Sequence, residues 1–281
     1  MTYLIADSGA TKTDWLYADD DNILHIKTQG LHPNNIQQMS DSEDIRTQIG
    51  DLKPDAIHFF GAGCGNPVSD EIVSRFLQPI FPNAKIRIQS DLHGSGKAFF
   101  GNGDGVVAVL GTGSVCAKIK EGNIAKKSAA LGFAIGDEGS AADLGRRILK
   151  IYFRKTGQPE SLEFIADKLN HADYATMMNR IYRAGKPNRE LASVAGEVLN
   201  DPMPPELSQV IKDGFKDFAD QQLSMLDLKG KESIVFTGKV AEVHQELLIP
   251  ILNQKGYKNI TIRYPVISAW RERVKAGRVV F

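Results

Sequence analysis

Twice in this chain a short apolar run ends in a turn of glycine and hydroxyl residues, and a second β-like run follows at once. Tyr3–Asp7 leads through Gly9–Thr13 into Asp14–Ala18, and Gly105–Leu110 leads through GTGS, 111–114, into Val115–Ile119. Each unit of strand, glycine turn and strand reads as a β-hairpin. The two stand about a hundred residues apart, the spacing expected of an internally duplicated chain. They share turn chemistry rather than sequence.

The segments around them complete an α/β pattern. Ile23–Thr28, Ala56–Phe60 and Lys85–Gln89 are further strands of the first half. Ser40–Ile49 has helical spacing, Asn66–Phe81 reads as a helix capped at its start, and Asp91–Phe100 as a short helix. In the second half Glu121-Gly-Asn123 turns towards another strand. From Ser140 to Leu226 the pattern is nearly all helical, with breaks at Gly157-Gln-Pro159, Gly185-Lys-Pro187 and Asp201–Pro205. Ser233–Thr237 is a late strand that passes through Gly238 into a helix ending at Leu252. Two α/β lobes with a helical insert in the second follow from this order, and 281 residues suit two domains better than one core.

Charge narrows the partners. Lys+Arg and Asp+Glu both total 34, so no net field draws nucleic acid or an anionic membrane, and any anionic ligand must be held by local geometry. The opening MTYLIADSGATKTDW has no basic leader and Asp7 breaks its apolar run, so neither a signal peptide nor an anchor is expected. Cys64 and Cys116 fit neither a disulfide framework nor a metal pair by spacing. Reduced, packed thiols and a cytoplasmic setting are the expectation.

Four motifs carry candidate chemistry. In DSGATKT, Gly9 allows close backbone approach, and the turn amides with the Thr11 and Thr13 hydroxyls suit phosphate oxygens. Asp7 is a hard oxygen ligand suited to Mg²⁺, and Lys12 adds a point charge. The turn joins two strands, so it is no P-loop, and a plain hairpin is the competing reading. LGTGS, with Gly111, Thr112, Gly113 and Ser114, is a second such turn. Mg²⁺–ATP is clamped from more than one side when phosphoryl transfer works by positioning and charge stabilisation. Asp91 follows a strand and opens a helix, which suits a general base at a sheet rim; a helix N-cap is the competing role. In GDEGS, Asp137 and Glu138 sit between glycines before a long helix, where they suit sugar hydroxyls or a metal shell, or merely complement the helix dipole. TGKVAEVHQELL, from Thr237, is a strand–glycine–helix joint that suits an adenine ring.

Read in order, DSGATKT, SDLHGSGKA, LGTGS and GFAIGDEGSAADLGRRIL resemble the actin-like ATPase superfamily. Within it they are similar to the group joining N-acetylglucosamine kinases to the activators of 2-hydroxyacyl-CoA dehydratases. The resemblance covers most of the chain and implies a duplicated ribonuclease-H-like βββαβαβα fold. Its lobes would be 1–102, with the first phosphate motif and the base, and 103–281, with the second phosphate motif, the helical insert and the adenosine site. The lobes of such proteins close over nucleotide and sugar. The resemblance further implies ATP and Mg²⁺ as cofactors, with Asp7 organising the metal and Gly9, Thr11, Lys12, Thr13 and Gly111–Ser114 facing phosphates. Asp91 would take the proton of a sugar 6-hydroxyl, Asn34, Gly113 and Asp137 would contact sugar, and Gly238 and Lys239 would meet adenosine. N-acetylglucosamine is the substrate it names, and a homodimer is common among such proteins.

Three positions depart from the pattern: Val115 stands where these kinases often carry Asn, Lys239 where a small residue is usual, and the tail after Gly256 lacks the small-residue closing helix. Competing readings are an activator-type ATPase, which needs cysteine thiolates for an iron–sulfur cluster, and a silent nucleotide-binding protein. A sugar-sensing repressor would need a DNA-binding domain ahead of the first phosphate strand.

Overall fold

The computed structural model describes residues 2–9, 12–19, 22–36, 42–183, 185–200 and 202–279. The first repeat runs β1 (Tyr3–Ser8), β2 (Lys12–Ala18), β3 (Ile23–Gln29), α1 (Pro33–Ile36), α2 (Ser42–Ile49), β4 (Ala56–Gly61), α3 (Pro67–Leu77), β5 (Lys85–Ser90) and α4 (Asp91–Phe100). The second opens with β6 (Gly105–Leu110), β7 (Ser114–Lys120) and β8 (Asn123–Lys127). Five helices follow: α5 (Ala141–Arg154), α6 (Pro159–Lys168), α7 (Tyr174–Arg183), α8 (Pro187–Val198) and α9 (Pro205–Gln221). It closes with β9 (Ile234–Thr237), α10 (Lys239–Val243), α11 (Gln245–Gln254), β10 (Ile260–Ile262) and α12 (Val266–Lys275).

Strand order exposes the duplication. The first sheet is ordered β3-β2-β1-β4-β5 and the second, read from the corresponding end, β8-β7-β6-β9-β10. In the first, β1–β2 and β2–β3 are antiparallel and joined by short turns, whereas β4 and β5 add in parallel. Parallel addition requires a crossover, which α3 provides between β4 and β5. α11 does the same between β9 and β10. The expected duplicated α/β plan is therefore present, with α5–α9 as the helical insert.

Compact packing groups Met1–Gly105, Ile119–Ala125 and Tyr264–Phe281 as one unit, and Val106–Lys118 with Lys126–Arg263 as the other. In the first unit the two-residue period of β1 splits its apolar side chains between two faces. Leu4 and Ala6 pack with Trp15, Phe59, Val73 and Leu77. Ile5 faces the other way, with Leu16, Phe60 and Ala98. That second face is sealed by α12, where Trp270 is fully buried and stacks on Phe60 at 5.3 Å between centroids. A closing helix thus exists in the tail, but a tryptophan rather than small residues fills its interface. In the second unit Val106, Ala108 and Leu110 enter one large core with α5, α8, α9 and α11.

Helix ends follow local chemistry. Asn66 caps α3 by accepting from the Ser69 amide at 3.1 Å, with Pro67 at the first helical position. α3 stops at Leu77, short of the expected Phe81: Gln78 is still helical in its dihedrals and its amide donates to the Ser74 carbonyl, but Pro79 has no amide with which to continue the ladder. The first two residues of the expected Ser40–Ile49 helix lie outside the described residues. Among the described residues no helix is long and apolar enough to cross a membrane.

Candidate active site

The first glycine turn is anchored from beneath. The Gly9 amide donates to the Lys12 carbonyl at 2.9 Å, while Ser8 and Thr13 face each other across the β1–β2 register. Their hydroxyls lie 2.8 Å apart. The Thr13 hydroxyl also donates to the Gln29 carbonyl at 3.1 Å, and the Leu31 amide reaches the Ser8 and Thr13 hydroxyls at 3.1 and 3.3 Å. Thr13 is fully buried, so its hydroxyl braces the turn rather than facing a ligand. Thr13→Val is expected to destabilise the fold by about 1–3 kcal/mol, measured by urea unfolding, because the buried hydroxyl's bonds to the Ser8 hydroxyl, the Gln29 carbonyl and the Leu31 amide are lost together. Thr11 lies outside the described residues.

Carboxylates gather on the α4 face of the first sheet. Asp7 is paired in register with Asp14 on β2 and Phe60 on β4. Both oxygens of Asp14 are engaged, by Lys12 Nζ at 2.9 Å and His25 Nε2 at 2.9 Å. Burial pushes Asp14 up, but these hydrogen bonds outweigh it and leave its carboxyl below the usual range. Asp7 has no such compensation: burial, then Asp91, then Asp14 raise it to about 7, with Lys12 opposing. The folded chain therefore keeps a proton that the unfolded chain loses above its ordinary 3.8, and stability falls as pH rises from there through about 7. Asp7→Asn is expected to flatten that slope, read as a smaller loss of Tm between about pH 5 and about pH 8; an unchanged slope would clear Asp7 as its source.

Asp91 is the first residue of α4, but it does not cap the helix. Ser90 does, accepting from the His93 amide at 3.2 Å. The Asp91 carboxylate accepts from the neighbouring Leu92 amide at 2.8 Å, and burial, only partly offset by such backbone bonds, raises its pKa. Gly94, one turn on, lets α4 press on the sheet: a Cβ there would lie 2.4 Å from the Phe60 ring. Asn34, on α1, is exposed.

In the second unit the LGTGS turn is held by the start of α5. The Gly111 and Thr112 carbonyls accept from the Ala141 and Ala142 amides at 2.9 and 3.2 Å. Ser114 is buried and donates to the Glu138 carbonyl at 2.8 Å, while Gln222 Nε2 donates to Ser114 Oγ and Glu138 Oε2, both at 2.8 Å. Asp137 sits in the left-handed region at φ 58° and lies against Gly113, where a Cβ would meet its Oδ2 at 2.9 Å. Burial raises its pKa, opposed by a bond from the Ser114 amide. Behind it Asp143 is buried and accepts from the Gly139 amide, Arg146 and Arg147 at 3.0, 2.7 and 2.9 Å. The backbone is open at Gly9 and at Gly111. A Cβ at Gly111 would meet nothing within 4 Å, and one at Gly9 only the Lys12 carbonyl at 3.7 Å. Gly238 caps α10 at φ 103°, and the exposed Lys239 pairs with Glu242 at 2.7 Å.

No protein-family model matches the chain. It is 28% identical over 214 residues to an N-acetylmuramic acid/N-acetylglucosamine kinase of Clostridium acetobutylicum, covering 69% of each. A candidate N-acetylglucosamine kinase of Porphyromonas gingivalis superposes with a TM-score of 0.87 at 25% identity, over 98% of this chain and 99% of that one. A candidate N-acetylglucosamine kinase of Chromobacterium violaceum gives 0.74 at 15% identity, over 95% and 97%. At the level of fold, a Streptomyces griseus glucokinase of the ROK family, in complex with glucose and AMPPNP, gives 0.52 at 14% identity, over 93% and 94%. The chain has the actin-like ATPase fold.

Within the actin-like fold, the sequence motifs fall at the turns and helix starts where strands end. Asp7 and Asp91 come together in the first unit; Gly111–Ser114, Asp137 and Gly238 come together in the second. Sequence reasoning passed over Asp14, Asp143 and Gln222. Asp14 directly follows the motif, and its β2 register opposite Asp7 was the available signal. Nothing in sequence pointed to Gln222, 108 positions from Ser114. Among the described residues no three His, Cys, Asp or Glu side chains form a metal site on their own.

Proposed function

We propose that this chain is an ATP-dependent kinase that phosphorylates the 6-hydroxyl of an amino sugar, N-acetylglucosamine. The observation that carries this reading is Asp91: Ser90 performs the capping, which leaves a desolvated carboxylate of raised pKa available to accept a hydroxyl proton. Gly9, Lys12 and Gly111–Gly113 would face phosphates, with open backbone at Gly9 and Gly111 and with Thr13 and Ser114 bracing those turns from within. The half-buried Asp137, against Gly113, suits a sugar hydroxyl, and Asn34 is the further sugar contact. Asp7 is the protein group that would hold Mg²⁺, and a divalent ion there would favour its charged form. When bound, Mg²⁺ supplies neutralisation of phosphate charge, and most of its other oxygen ligands would come from nucleotide and water. Gly238 and Lys239 are the proposed adenosine contacts. We take 1–102 and 103–281 as the two lobes by sequence repeat, with Ile119–Ala125 and Tyr264–Phe281 of the second repeat packing on the first unit, the setting as cytoplasmic and the assembly as a homodimer.

The related activator-type ATPase is disfavoured because burial pushes both the Cys64 and Cys116 thiols up to about 12, far from the thiolates that an iron–sulfur cluster requires. The test is ADP release from Mg²⁺–ATP with a panel of amino sugars and hexoses and a blank without sugar, followed by phosphorus NMR of the product. Turnover confined to N-acetylglucosamine, with a 6-phosphate product, supports the proposal. Release independent of sugar would replace it with an ATPase.

A further inference from the structure

The first unit holds a polar cavity of about 390 Å³ that none of the residues assigned above lines. Its walls follow from register. His58 on β4 lies opposite Arg87 on β5, and Gln89, two residues on, shares that face. His93 and Lys97 are four apart on α4 and share one face of the helix. Asn123, at the start of β8, completes the polar wall, and Ile88 is the sole apolar lining residue. Among the described residues no carboxylate lines the cavity.

The charge balance is one-sided. Lys97 is 7% exposed, and its ammonium donates to a neutral partner, Asn102 Oδ1, at 3.2 Å. Arg87 brings a second cation, on an edge strand open to solvent. The imidazoles are kept neutral: burial and then Arg87 push His58 down to about 4, and burial and then Lys97 lower His93. Gln89 Nε2 lies 3.2 Å from His93 Nε2. Two fixed positive charges thus stand among imidazole and amide groups able to donate from several directions.

We propose that this cavity binds a phosphoryl anion. A tetrahedral dianion matches two cations and donors on separate elements, where a carboxylate would occupy a single planar fork. The volume admits phosphate with a small organic body. Inorganic phosphate and a sugar phosphate share this chemistry, and the experiment separates them. Imidazole resonances of His58 and His93 are followed in the full chain, with its nucleotide site filled by a non-hydrolysable ATP analogue, during titration with inorganic phosphate, a hexosamine phosphate or the free amino sugar. Saturable shifts of both histidines are expected with a phosphorylated ligand, and the tighter of the two names the source. Arg87→Ala, on an exposed side chain, is expected to weaken that binding at least about tenfold without changing the melting curve. The proposal is overturned if neither anion gives a saturable shift up to on the order of 10 mM, if Arg87→Ala binds as tightly as the parent, or if the free sugar shifts both histidines equally.

Discussion

Asp91→Asn is expected to lower kcat for phosphoryl transfer by about a thousandfold or more while nucleotide affinity stays within about twofold. Asparagine keeps an oxygen that can accept the Leu92 amide, now met by Asp91 Oδ1 at 2.8 Å, and Ser90 continues to cap α4. The substitution therefore removes proton acceptance without removing a structural bond. It also removes a carboxylate whose pKa burial has raised, so the folded state no longer carries that desolvation cost at neutral pH. The Tm of Asp91→Asn is accordingly expected to equal or exceed that of the parent. Loss of activity with an unchanged or raised Tm and intact binding of an ATP analogue marks a catalytic group. Loss of activity with a lower Tm would mark a structural one, and retained turnover would remove Asp91 from the mechanism.

The fold was largely legible because its signals are local. The β1–β2 and β6–β7 hairpins announce themselves through glycine turns between apolar runs, and α3 and α4 through capping residues before apolar periodicity. What escaped is non-local. β10 has three residues, too few to show a period, and becomes a strand because it pairs with β9 through Ile260–Ile234. α12 was not foreseen because its buried face, Val266, Ile267, Ala269 and Trp270, is defined by Phe60 and Ile5, some two hundred residues earlier. The site divides in the same way. Asp7, Asp91 and the glycines stand in contiguous motifs, whereas the side chains that hold them in place were visible only in three dimensions. His25 reaches Asp14 across a strand pair, and Gln222 reaches Ser114 from the end of α9. Thr13 shows the limit most plainly: its motif suggests a phosphate ligand, and its complete burial makes it a brace.

Gly238→Ala is expected to be strongly damaging to the second unit, because it combines a backbone clash with a positive φ. β9 ends at Thr237, and Gly238 turns the chain at φ 103°, a conformation that side chains other than hydrogen rarely adopt. A Cβ there would stand 2.3 Å from the Leu110 carbonyl oxygen, 2.6 Å from its carbon and 3.0 Å from the Gly111 amide nitrogen. All three are backbone atoms, so no side-chain rotation relieves the overlap. Relief requires β9 to move from the end of β6, with which it pairs in parallel, or the LGTGS turn to shift. Strain of this kind costs about 1–3 kcal/mol, with repacking of the adjoining core in addition. The same displacement reaches Gly111, so nucleotide affinity is expected to fall by at least about tenfold even where the chain remains folded. Lys239→Ala provides the control, since Lys239 is exposed and its ammonium pairs with nearby Glu242 on the same helix. It is expected to leave Tm unchanged. If it also leaves nucleotide affinity unchanged, the adenosine contact is made by the Gly238 backbone alone. A Gly238→Ala protein with parental Tm and parental affinity would show that the approach of these two turns matters neither to the fold nor to the nucleotide.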